Sequence, residues 1–191
     1  MNTIGSVPSA LSAVNAPVRQ WKEKLRDGTT VLIRPIRAED AAIERRFIET
    51  LSPQSRRFRF LGEIKTPSAA LIEQLTHPNP DRDAAFVALV ADGAEKREIG
   101  VARFSARPDS ASCECAVAVA DDWQHRGLGT LLMRLLIDVA RTRGIECMYS
   151  VDAADNSAMR ELAAHLGFAR KPDPSDATQV LHTLDLRAPC V

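Results

Sequence analysis

The sequence predicts a single α/β domain: a mixed, mostly antiparallel sheet flanked by helices. Three observations carry that expectation. A chain of 191 residues fits one domain rather than two. Its apolar pattern runs from a hairpin to helices, then through three successive strands, then through two strong helices each followed by a strand. A hydrophobic share of 45% against 26% charged is that of a globular chain, large enough to bury its core without a metal or disulfide.

Residues 1–18, rich in Ser, Ala, Pro and Asn, are expected to form a disordered leader. They lack the charged start and continuous apolar run of a secretory signal. Trp21 to Leu25, Asp27-Gly28 and Val31 to Ile36 read as a hairpin, because Asp-Gly supplies the positive φ that matches strand twist. Ala38-Glu39-Asp40 opens a helix carrying Ile43, Phe47 and Leu51, and Ser52-Pro53 ends it and starts a shorter one reaching about Gly62. Thr66-Pro67 marks another helix start before Leu71, Ile72 and Leu75, closed by Pro78 and Pro80. Ala85–Ala91, Glu98–Ala106 and Ser112–Ala120 read as strands parted by Asp92-Gly93 and Arg107-Pro108-Asp109. Leu128, Leu131, Leu132, Leu135, Leu136 and Val139 define one face of a long helix, with Gly144 as its C-terminal stop. Cys147–Val151 is a buried strand. Asn156 caps a helix faced by Met159, Leu162, Ala163 and Leu166 and closed by Gly167, and Val180–Leu186 is the last strand.

Twenty-five basic residues balance twenty-five acidic ones, so no global field argues for nucleic acid or an anionic membrane. No apolar run approaches the roughly 20 residues that span a bilayer. Cytoplasmic residence and no membrane partner are therefore expected. Cys113, Cys115, Cys147 and Cys190 form no CxxC pair and no ligand spacing with the scattered histidines, so no metal is expected. Cys113 and Cys115 share one strand face, where cysteine serves as a small apolar residue.

The informative segment is Gln124-His125-Arg126-Gly127-Leu128-Gly129-Thr130, between a strand and the strongest helix. Glycines let backbone approach a ligand closely, and the first amides of a helix have no helical partner. A diphosphate suits that geometry. Arg126 is positioned either to add a charge-assisted contact or to stand as a solvated rim residue. The competing reading is an entry turn with structural glycines. No GK[ST] follows and GxGxxG is absent, so neither a Walker loop nor a dinucleotide fingerprint is present.

Gln-His-Arg-Gly-Leu-Gly resembles the Gln/Arg-x-x-Gly-x-Gly/Ala pattern of the GNAT acetyltransferase superfamily. Asn156, with the helix through Leu162 that ends in Leu166-Gly167-Phe168, is similar to that family's Asn-x-x-Ala-x-x-Leu…Gly-Phe segment. The resemblance runs from about Val31 to Leu186. It implies one GNAT domain over residues 19–188 and a splayed strand pair forming the cleft for coenzyme A. It also implies acetyl-CoA as cosubstrate, met by Val117, Val119, Gln124, His125, Arg126, Gly127, Leu128, Gly129, Thr130, Asn156 and Met159. Val117 and Val119 would act through their backbone, their side chains being core.

Acetylating an amine requires a free lone pair, whereas an alkylammonium has a pKa of about 10.4. A carboxylate near the thioester removes the proton, and Glu114 is the candidate base. Strand alternation sets Glu114, Ala116 and Ala118 apart from Cys113, Cys115, Val117 and Val119. The competing reading is a half-exposed strand glutamate paired with a basic residue. Many GNAT enzymes carry a Tyr where this chain has Ala163, and the single tyrosine, Tyr149, reads as a packed aromatic. No general acid is assigned.

Leu25-Arg26-Asp27-Gly28, Ile33-Arg34-Pro35-Ile36-Arg37, Glu39-Asp40, Leu51-Ser52-Pro53 and Arg59-Phe60 resemble the catalytic domain of bacterial Pat-type protein lysine acetyltransferases. That likeness implies a protein lysine as acceptor. The alternatives are a small amine, or a non-catalytic acyl-CoA sensor. Arg56, Arg57 and Arg59 form a basic cluster that either attracts an acidic substrate or is a solvated helix face.

Overall fold

A computed structural model describes residues 20–93, 95–107 and 111–187. The expected leader, Cys190 and part of the Arg107-Pro108-Asp109 turn lie outside them. β1 (Trp21–Lys24) and β2 (Thr30–Pro35) form the anticipated hairpin, with Gly28 at φ 83° in its turn. A 3-10 turn at Ala38–Asp40 leads into α1 (Ala41–Thr50), followed by α2 (Pro53–Phe60) and α3 (Ala69–Thr76). β3 (Asp83–Asp92), β4 (Glu95–Ala106) and β5 (Ser112–Val119) form the meander, and α4 (Leu128–Thr142), β6 (Cys147–Ala153), α5 (Ser157–His165), β7 (Ala169–Pro172) and β8 (Gln179–Asp185) complete the chain.

The eight strands lie in the order β1-β2-β3-β4-β5-β6-β8-β7, and every neighbouring pair is antiparallel except β5–β6. Helices cover both faces. Against one, α4 and α5 bury Leu128, Leu132, Met133, Leu136 and Met159 over Ile99, Phe104, Cys113 and Cys115. Against the other, α1 and α3 bury Phe47, Ile48, Ile72 and Leu75 over Val87, Leu89, Val101 and Ala118. The two cysteines are therefore core atoms, and burial pushes the Cys113 thiol up to about 12.

Three details depart from the sequence expectation. Ser68, not Thr66, caps α3, its hydroxyl accepting the Leu71 N–H at 3.1 Å. β4 starts at Glu95 rather than Glu98, and its register against β3 shifts between Ala88 and Leu89. β7 was not anticipated, because Ala-Arg-Lys-Pro is exposed throughout and carries no apolar alternation. Among the described residues, no helix is long and apolar enough to cross a membrane.

Candidate active site

β5 and β6 pair only over Ser112↔Cys147, Cys113↔Met148 and Glu114↔Tyr149. Beyond Glu114 the strands part, while β5 stays paired to β4 as far as Val119. Ala120 donates to Ile99 on β4 at 2.9 Å, so alternation turns the N–H and C=O groups of Val117 and Val119 toward the gap. The Val119 carbonyl already accepts from Gln124 Nε2 at 3.3 Å. The Val117 pair and the Val119 N–H remain directed into the fork.

At its wide end the fork meets the entry to α4. His125 (φ 60°) and Gly127 (φ 88°) both adopt left-handed backbone, which folds the loop tightly. Gly127 is the N-cap and supplies no side chain, so among the described residues the N–H groups of Leu128, Gly129 and Thr130 have neither a helical nor a side-chain acceptor. These amides border a cleft of about 580 Å³ that runs between β5, α5 and α2. Across it, Asn156 Oδ1 caps α5 by accepting the Met159 N–H at 3.1 Å, which leaves its amide nitrogen for the cleft. A side chain at Gly129 would face Leu162 and Val119 across the cleft wall, its Cβ 3.4 Å from Leu162.

The candidates from sequence are thus brought together: Val117, Val119, Gln124, His125, Gly127, Leu128, Gly129, Thr130, Asn156 and Met159 all line this cleft. Arg126 does not. Its guanidinium donates to Asp27 Oδ2 at 3.0 Å and to the Asp122 carbonyl at 2.8 Å, and stacks 4.7 Å from the Trp123 ring centroid.

Glu114 stands at the apex of the fork, exposed, on the sheet face opposite α4. It makes no ion pair among the described residues. That face is heavily charged. Arg34 forms a buried two-pronged bridge to Asp40 at 2.6 and 2.7 Å, and Arg103 reaches Glu44 at 3.2 Å. Glu98 is 3% exposed beside Glu44, and among the described residues neither of its carboxylate oxygens has a hydrogen-bond partner. Burial first, and the Glu44 carboxylate second, hold Glu98 well above the ordinary carboxylate range. Burial and the neighbouring Arg103 lower Arg59 to about 10, while Glu44 and Glu114 pull it back up.

The basic cluster disperses. Arg56 donates to the Glu49 carbonyl, Arg57 bridges to Asp155 at 2.5 Å across the cleft mouth, and Arg59 lines the cleft itself. Helix α2 itself is pinned by Asp121, which accepts from the Ser52 N–H and from the Ser52 and Ser55 hydroxyls at 2.7–2.8 Å.

Two features escaped the sequence. Arg26 of the β1–β2 turn reaches the cleft. Asp152 also lines it, with Oδ2 held by Ser150 Oγ at 2.6 Å and His182 Nδ1 at 2.9 Å. The i, i+2 spacing of Ser150 and Asp152 on β6 was the available signal for the second; none pointed to the first.

Known proteins resemble this chain in sequence and fold. A model of the acetyltransferase (GNAT) family matches residues 47–168. An acetyltransferase of Pseudomonas aeruginosa is 53% identical over 178 residues, covering 93% of this chain and 95% of that protein. The acetyltransferase Pat of Mycolicibacterium smegmatis is 34% identical over 111 residues, which cover 58% of this chain but 33% of that longer protein. Among solved structures, the GNAT domain of S. lividans PAT superposes with a TM-score of 0.78 at 26% identity, covering 87% of this chain and 96% of that one.

Proposed function

The chain belongs to the GNAT acetyltransferase family, and from that premise we propose that it moves the acetyl group of acetyl-CoA to the side-chain amine of a protein lysine. The exposure of Glu114 at the apex of the fork carries this reading. A carboxylate there is open to a side chain presented by a large partner, and among the described residues it is held in no ion pair, Arg59 acting on it only as a nearby charge. The Pat-like front of the chain and its likeness to the S. lividans PAT domain support the choice of lysine.

The residues present fit the coenzyme. The amides of Leu128, Gly129 and Thr130 lie uncapped at the start of a fifteen-residue helix, where the helix dipole favours an anion. Gln124 and His125 hold the loop that presents them, and Val117, Val119, Asn156 and Met159 offer a polar-edged, apolar-floored track for the pantetheine arm. When bound, acetyl-CoA supplies an activated thioester. Glu114 takes the proton from the incoming ammonium, directly or through one water, leaving the nitrogen lone pair free to attack. The Val117 N–H, directed into the fork, stabilises the negative charge that develops on the thioester oxygen. No side chain is assigned to protonate the departing thiolate, because Ala163, 1% exposed in the core, stands at the position of the usual tyrosine; as the C–S bond breaks, the thiolate would take the second amine proton through water.

The test is thiol release from acetyl-CoA against lysine-bearing proteins, peptides and small amines, with mass spectrometry of the product. The proposal expects N-ε-acetyl-lysine on protein. Product on small amines alone would replace the acceptor, and coenzyme binding without thiol release would make the chain a sensor. Glu114→Gln should lower turnover by about 10²–10⁴-fold while leaving coenzyme affinity as it was; unaltered turnover at neutral pH removes Glu114 from the mechanism.

A further inference from the structure

We propose that Arg26, in the turn between β1 and β2, is a phosphate-binding residue for the coenzyme diphosphate, and that Asp27 beside it draws Arg126 out of that role. This rests on the reading of the cleft as the acetyl-CoA site. The hairpin precedes residue 47, where the family-wide match begins, so that match says nothing of its part in the site.

The placement is direct. Arg26 lines the cleft with His125, Gly127 and Gly129. A Cβ built on Gly127 would lie 3.4 Å from Arg26 Nε and 3.6 and 3.7 Å from its Cγ and Cδ, so the guanidinium lies alongside the residue that opens the amide nest. The backbone ties turn to loop, with the Arg26 N–H directed at the Arg126 carbonyl at 3.5 Å.

Charge then separates the two arginines. Arg126, although in the motif, spends its guanidinium on Asp27, the Asp122 carbonyl and the Trp123 face. The Thr29 N–H donates to Asp27 Oδ1 at 2.9 Å, and Thr29 first, with Arg126 adding to the effect, holds the Asp27 carboxyl below the ordinary range. Arg26 has no carboxylate within ion-pair distance among the described residues. A guanidinium without a partner, beside amides without acceptors, has the charge and the planar donor fork that a diphosphate requires. The turn therefore brings one cation to the loop while neutralising another.

Calorimetry on the full chain tests this, with coenzyme A and 3′-dephospho-coenzyme A as probes and the melting temperature of the unliganded protein as the check on folding. Arg26→Gln should weaken both ligands by about tenfold, a loss that shrinks as salt is added, with the unliganded melting temperature unmoved. Arg26→Lys should recover part of the loss, keeping the charge and losing the fork. Equal affinities of Arg26→Gln and the wild type would overturn the proposal. So would a loss confined to coenzyme A, which would place Arg26 at the ribose phosphate, or a loss matched by a lower melting temperature in both variants. If the wild type itself binds neither ligand, the reading of the cleft fails instead.

Discussion

Glu98 carries a prediction that belongs to one side chain. Burial and the adjacent Glu44 raise its pKa, so between the ordinary glutamate value and the raised one the folded state holds a proton that the unfolded chain has released. Its contribution to stability is complete below the ordinary value and is lost as pH climbs through the raised one. Glu98→Gln keeps the shape and removes the titration, so its melting temperature should gain on the wild type from pH 5 to pH 8. A constant difference across that range would mean the carboxyl pair shares no proton. Sequence could not anticipate the pair. Glu44 and Glu98 lie on α1 and β4, far apart in sequence, and only the fold brings them together. The side of β5 on which Glu114 stands was legible by contrast, because strand alternation sets it apart from Cys113 and Cys115, which the fold buries. Cys113 and Cys115 were legible too, as two neighbours on a buried face. Their burial predicts that the native protein resists iodoacetamide at both positions and that each thiol reacts only after unfolding, as peptide mapping would read.

At the scale of elements, α4 and α2 divide the labour. Helix α4 is fixed by packing: Leu128, Leu132 and Leu136 are at most 1% exposed, and Gly100 on β4 admits them because a Cβ there would meet Ala118 O and both Leu128 and Leu132 at 3.2 Å. Leu132→Ala should cost about 2–5 kcal/mol in a urea titration, the usual range for a collapsed leucine site; a cost under ~1 kcal/mol would mean the helix does not anchor the loop. Helix α2 is instead held by polar contacts. Burial pushes the Asp121 carboxyl up, but hydrogen bonds from Ser52 and Ser55 outweigh it and leave the group below its ordinary value. That tether is present above the ordinary aspartate pKa and weakens as pH falls through the lower folded value. Asp121→Ala should therefore raise hydrogen exchange in α2 while leaving α4 protected. The exposed Arg57–Asp155 bridge adds little stability by itself, about 0–1 kcal/mol. Its position across the cleft mouth matters more. The period of α4 and the caps of α2 and α5 were readable locally, whereas the dispersal of Arg56, Arg57 and Arg59 depended on partners up to 98 residues away.

For the whole molecule, local signals sufficed where neighbours in sequence are neighbours in space. The Asp27-Gly28 hairpin, the three-strand meander and the two glycine-closed helices all fall in that class. The resemblance supplied what local pattern lacks, the fork between β5 and β6, which the pairing bears out by stopping at Glu114↔Tyr149. What remained hidden was long-range: β7, which carries no apolar code, and the meeting of the first hairpin with the loop a hundred residues later. On the proposed function, the diphosphate of the coenzyme rests on the free amides that open α4 and its arm runs along the outer half of β5. Backbone amide shifts recorded as acetyl-CoA is titrated into the labelled protein test this most directly. The largest changes should fall on Leu128, Gly129, Thr130, Val117 and Val119; saturation with those five signals unmoved would contradict it.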